Sequence, residues 1–207
     1  MRVLDPYLDP QVQAAALAGF FLACGWVVNG WQNRRRDAAL REERVRDVLR
    51  SLYSEIRAYL AVLRRDDVGV YGADLCARIL AEPGFFPIIP TERNDTMFRA
   101  VVDEIHVLPD AVIHSVVLYY SQVVAIETII ADLRGLDHAK VGQRRAAGIY
   151  RDYIGLKIEA VELGAKALAD IAEELQFPLP PEAEALDGWL ARQWMAVSNR
   201  AVDPSDP

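Results

Sequence analysis

Between residues 12 and 31 the chain carries no charged side chain, and Arg34-Arg35-Arg36 follow almost at once. Twenty helical residues at about 1.5 Å each span roughly 30 Å, the hydrocarbon thickness of a bilayer. The segment is apolar all round, whereas the core helix of a soluble protein is expected to show a polar stripe. Trp26 and Trp31 lie toward one end, where interfacial aromatics gather. The preceding segment holds only Arg2 against Asp5 and Asp9. Positive charge marks the cytoplasmic side, so the N-terminus is expected outside and the body in the cytoplasm. Two other readings stay open. One is a cleaved export signal, with Phe21-Leu22-Ala23-Cys24 as a lipoprotein-type box lipidated at Cys24, although the flank before it has no net positive charge. The other is a buried soluble helix.

The charge is divided unevenly. Residues 34–65 hold ten Arg against five acids, while residues 66–207 hold 12 basic and 23 acidic side chains within a total of −7. An acidic body lacks the basic face that phosphate contact requires, so nucleic acid is excluded as its partner. Arg34, Arg35 and Arg36 are placed to meet anionic lipid headgroups or simply to set topology. Cys24 and Cys76 form no disulfide framework.

No Pro or Gly interrupts the chain from Trp31 to Val68, so one helix is expected to continue as a basic stalk over residues 32–68. Val45, Leu49, Leu52, Ile56, Tyr59 and Leu63 are spaced 4, 3, 4, 3 and 4, a heptad seam. The seam either pairs with a partner or second copy, or docks on the chain's own later helices. Val48 and Leu60 widen it, which favours internal docking. Gly69 and Gly72 read as a break, and residues 73–81 as a short helix. Phe85-Phe86-Pro87-Ile88-Ile89-Pro90 is an apolar loop whose prolines forbid a regular helix. Its burial must come from the body or from a partner, and Phe85, Phe86 and Ile88 are the contact residues. Thr91 is an expected N-cap for a helix over residues 92–107. Residues 111–133 are the most apolar stretch after the first. His114, Gln122, Glu127 and Asp132 would each be costly against lipid, so a core helix is preferred to a second span. A long helix over residues 137–175 follows, weakened by Gly142, Gly148, Gly155 and Gly164 unless these mark close contacts. Pro178, Pro180 and Pro181 form a linker. Residues 182–199 read as an amphipathic helix, and the last seven as a frayed tail.

The expected organisation is therefore all-α. It has a short outer N-terminus (1–11), a transmembrane helix (12–31), the stalk (32–68), an antiparallel bundle of four or five helices following it (69–177), and the linker with its terminal helix (178–207).

Chemistry is sparse. His106 and His114 are eight apart across Pro109, which is not a helical metal pair, and His138 stands alone. Adjacent carboxylates such as Asp103-Glu104 diverge by about 100° on a helix, and phosphate-loop, nucleophile-elbow and zinc-protease motifs are missing. No cofactor and no enzyme activity is expected. Tyr119, Tyr120 and Tyr153 could instead wall a ligand pocket in a sensor-type bundle.

The sequence Leu52-Tyr53-x-Glu55-Ile56, followed by Phe86-Pro87, Asn94, Ile105-x-x-Leu108-Pro109, Val116-Val117 and Tyr119-Tyr120, resembles a loose family of uncharacterised proteobacterial proteins with one N-terminal span and a helical body. The resemblance covers about residues 10–135. It implies a bacterial inner-membrane setting and transfers no catalytic residue. The excess of Arg over Lys, 20 to 3, agrees with a GC-rich bacterial genome. Together these features lead to the expectation of a membrane-anchored, non-enzymatic interaction protein.

Overall fold

Six α-helices and one 3₁₀ turn make up the structure, a computed structural model that describes residues 10–65, 67–137 and 140–199. His138, the N-terminal residues 1–9 and the tail 200–207 lie outside the described residues. The elements are α1 (Pro10–Arg65), α2 (Val68–Ala81), α3 (Thr96–Val101), the 3₁₀ turn (Val102–Val107), α4 (Asp110–Gly135), α5 (Gln143–Leu175) and α6 (Leu186–Asn199). No strand occurs among the described residues. The chain divides into two units at Arg46/Asp47, and α1 contributes to both.

The first unit, in its described part, is helix alone. Phe20, Phe21, Leu22, Trp26 and Val27 are all exposed. By length and composition α1 and α4 are both able to cross a membrane. They differ in surroundings: the apolar window of α1 is entirely uncovered, whereas 39% of that of α4 is buried.

The second unit is an antiparallel bundle. Val48, Leu49, Leu52, Ile56, Tyr59, Leu60 and Leu63 of α1 are buried in it, so the heptad seam is spent on the chain's own core. Leu49, Leu52, Ile56 and Tyr59 are interior side chains here and present no surface to a partner. α5 is the central helix and packs on α2, α4 and α6. Its register with α2 is antiparallel: Gly72 meets Ile154, Cys76 Sγ donates to the Ala147 carbonyl at 3.6 Å, and Gln143 Nε2 donates to the Ile79 carbonyl at 2.9 Å.

Gly69 and Gly72 lie inside α2, not at a break as the sequence suggests. The chain turns instead at Asp67, in a left-handed conformation with φ 42°. The glycines are there for contact. A Cβ on Gly69 would stand 2.8 Å from the Gln193 carbonyl oxygen, and one on Gly72 would be 2.5–2.8 Å from three Ile154 carbons. Gln193 completes the junction. Fully buried, it accepts from the Gly69 N–H at 2.8 Å and donates to Asp67 Oδ1 at 2.9 Å. Gly148, by contrast, faces open space. Gly72→Ala is therefore expected to destabilise the bundle by about 1–3 kcal/mol through overpacking. Gly148→Ala should stabilise it by about 0.5–1 kcal/mol through helix propensity. Denaturant unfolding of the two variants measures both, and equal effects would refute the contact role.

The expected helix over 92–107 is also corrected. Residues 91–95 are irregular, α3 has only six residues, and the 3₁₀ turn follows. Thr91 is not its cap. The reason is tertiary: Glu92 is drawn to Tyr59 on α1 and to Tyr153 and Lys157 on α5, which holds the chain out of helical geometry before Thr96. α5 likewise begins at Gln143 and α6 at Leu186, each later than periodicity suggests. Before α6, Arg64 Nη1 donates to the carbonyls of Pro181, Glu182 and Glu184, so the proline linker is held against α1.

Candidate functional site

Two carboxylates clasp the segment between α2 and α4 onto the bundle. Glu55, on α1, accepts from the backbone N–H groups of Met97 (2.7 Å) and Phe98 (3.1 Å) and from Tyr120 Oη at 2.8 Å. It thus caps α3 from 42 residues away, where Asp95 makes no side-chain cap. Phe98 then stacks on Tyr120 with centroids 4.0 Å apart. Glu92, in the irregular segment, reciprocates. It accepts from Tyr59 Oη of α1 and Tyr153 Oη of α5, both at 2.9 Å, and from Lys157 Nζ of α5. The Glu92 and Lys157 side chains are only 17% and 11% exposed, and Lys157 also lies 4.7 Å from the centre of the Tyr153 ring. Further along, Arg99 bridges Asp95 and Glu127, and the second oxygen of each carboxylate is buried without a partner among the described residues.

Burial shapes the acid–base behaviour of this cluster. Tyr59, Tyr119, Tyr120, Tyr150 and Tyr153 are all pushed well above the usual tyrosine range, chiefly by desolvation. Glu92 adds to the shift at Tyr59 and Tyr153, and Glu55 at Tyr119 and Tyr120. The folded state therefore holds protons that the unfolded chain releases near pH 10. The stabilisation is complete below that pH and is lost as pH rises above it. Absorbance at 295 nm should show these five rings silent until the protein unfolds cooperatively in alkali. A smooth titration of all eight tyrosines near pH 10 in folded protein would contradict this.

Tyr119 and Tyr120 pack edge to face at 4.9 Å in the interior, as do Tyr150 and Tyr153 at 5.5 Å. They fill the core; a cleft opens instead beside Tyr59, Glu92 and Lys157, with a volume of about 450 Å3. Among the described residues no group of three His, Cys, Asp or Glu side chains is placed to hold a metal. His106 and His114 are exposed, and His106 Nδ1 lies 3.0 Å from the Asp103 carbonyl. Cys76 is buried, and burial pushes its thiol up, away from nucleophilic use.

The apolar loop divides between interior and surface. Pro87 and Ile89 are buried, Phe85 and Phe86 are half-buried, and Ile88 is 95% exposed. Arg78 covers the Phe85 ring at 4.0 Å. In the first unit the Arg35 guanidinium stacks 3.9 Å over Trp31, and Arg34 Nε donates to the Gly30 carbonyl at 3.1 Å.

Sequence reasoning overlooked Glu55, Glu92 and Lys157 as a set. One signal was present. Tyr150, Tyr153, Ile154, Lys157, Ile158 and Val161 form a single helical stripe, and a lysine within an apolar stripe implies a buried partner.

No protein-family model matches this chain, and neither does any curated protein or solved structure.

Proposed function

We propose that this chain is a non-enzymatic, membrane-anchored interaction protein of a bacterial inner membrane. One span over residues 12–31 fixes it, and the helical body lies in the cytoplasm as an accessory part of a larger membrane assembly. The observation that carries this reading is a helical segment apolar on every side and uncovered along its length, with a cluster of arginines after it. Such a surface is stable in lipid and unfavourable in water. Arg34, Arg35 and Arg36 fit the headgroup level, and the Arg35–Trp31 stack suits an interfacial position. Ile88, with Phe85 and Phe86, is the partner contact, because a loop tip with one fully exposed isoleucine between buried neighbours is an anchor awaiting a pocket.

Topology tests the anchor. The C-terminus is fused in turn to a reporter active only in the periplasm and to one fluorescent only in the cytoplasm. A fluorescent fusion with no periplasmic activity is expected. The opposite result overturns the orientation and makes Cys24 a lipidation candidate.

A further inference from the structure

We infer that the cleft between α1, the irregular segment 91–95 and α5 binds a small aliphatic carboxylate, its head on Lys157 and Arg93 and its carbon chain along α1.

The cleft of about 450 Å3 has an apolar wall and a polar end. Ala58, Val62 and Leu63 supply the wall, and Glu92, Arg93, Asn94 and Lys157 the polar end. The volume lies within the ordinary range for small-molecule sites. The formal charges of Glu55 and Glu92 cancel those of Arg93 and Lys157, yet their hydrogen-bonding capacities do not. All four oxygens of Glu55 and Glu92 already accept, taking six donors between them. The donors are in surplus. Lys157 has three N–H groups and gives one of them, to Glu92. Arg93 and Asn94 make no side-chain hydrogen bond with the other described residues. A ligand that satisfies this site must therefore bring acceptors, and a cation would meet carboxylates that are already engaged. An anion also gains the shorter, stronger bonds of charged partners.

The wall decides the rest of the ligand. Ala58, Val62 and Leu63 lie within six consecutive residues of α1, about 7.5 Å of helix. Val62 is 46% exposed where it borders the cleft. Covering it favours a short hydrocarbon arm over a fully polar anion such as inorganic phosphate. The clasp on Glu92 is part of the same site. A carboxylate near Lys157 would add a second acceptor for the ammonium group and tighten the segment 91–95 against the bundle. This reading does not depend on which side of a membrane the body occupies.

Octanoate is the probe. The full chain in zwitterionic nanodiscs is titrated calorimetrically, with empty nanodiscs as blank and octyltrimethylammonium as the cationic counterpart. Saturable one-to-one binding of octanoate is expected at ~1 mM or tighter, the scale that about ten non-hydrogen atoms support. Ala58→Trp, at an exposed position, should fill the cleft and abolish binding. Arg93→Gln, also exposed, should weaken binding about tenfold. Circular dichroism checks that each variant is folded; if Ala58→Trp is not, Arg93→Gln decides. No binding, equal binding of the cation, or octanoate affinity unchanged in the folded variants would overturn the inference.

Discussion

Glu92→Ala is expected to destabilise the helical body by about 3–5 kcal/mol, the cost of breaking a buried ion pair from one side. The substitution removes one carboxylate but strands three donors: the hydroxyls of Tyr59 and Tyr153 and the ammonium of Lys157. Lys157 is the costly one, because its side chain is only 11% exposed and its ammonium group has no other acceptor among the described residues. A second substitution separates the loss of the pair from the loss of the loop. Glu92→Leu combined with Lys157→Met removes both charges and keeps apolar volume, and should recover much of the loss. Urea unfolding of the wild type, both single variants and the double variant gives the coupling. If Glu92→Ala proved as mild as a surface change, within about 0.5 kcal/mol, the clasp would be an ornament of the surface.

Leu52→Asp is expected to unfold the body altogether. Leu52 is wholly buried on the inner face of α1, with Leu49 and Ile56 beside it. Removing the leucine side chain alone costs about 2–5 kcal/mol, and placing an unpaired carboxylate there costs several more. The total rivals the whole stability of a domain, about 5–15 kcal/mol. The apolar segment 12–31 lies outside this unit. The variant should therefore still sediment with membranes after alkaline extraction while its body becomes sensitive to protease. Ser54→Asp, on the exposed side of the same helix, should leave the body resistant. A Leu52→Asp protein that stayed folded and lost self-association instead would mean the seam faces a second copy.

Much of this architecture was legible in the residues. The absence of charge from 12 to 31 and the unbroken helical period beyond it predict one long helix, and α1 runs from Pro10 to Arg65. Both are local properties: chain length per residue and side-chain period need no partner to be read. The same holds for α4, where apolar content and Gly135 mark its extent. The all-α class follows from the same signals.

The seam of α1 shows where local reading ends. Its spacing says that Leu49, Leu52, Ile56 and Tyr59 share a face, and a heptad serves a partner and an internal core equally well. The glycines misled for a related reason. Gly69 and Gly72 carry a backbone cost that sequence registers as a break, while their gain, room for Gln193 and Ile154, comes from residues 82 or more positions away. Glu92 is the clearest case. Its partners stand 33, 61 and 65 residues from it, on two helices whose separate patterns say nothing of their meeting. The helices, the uncharged apolar segment and the uneven division of charge were set by period and composition along the chain. The core face, the glycine contacts and the carboxylate clasp arose only on packing, because each depends on distances between residues that local sequence does not relate.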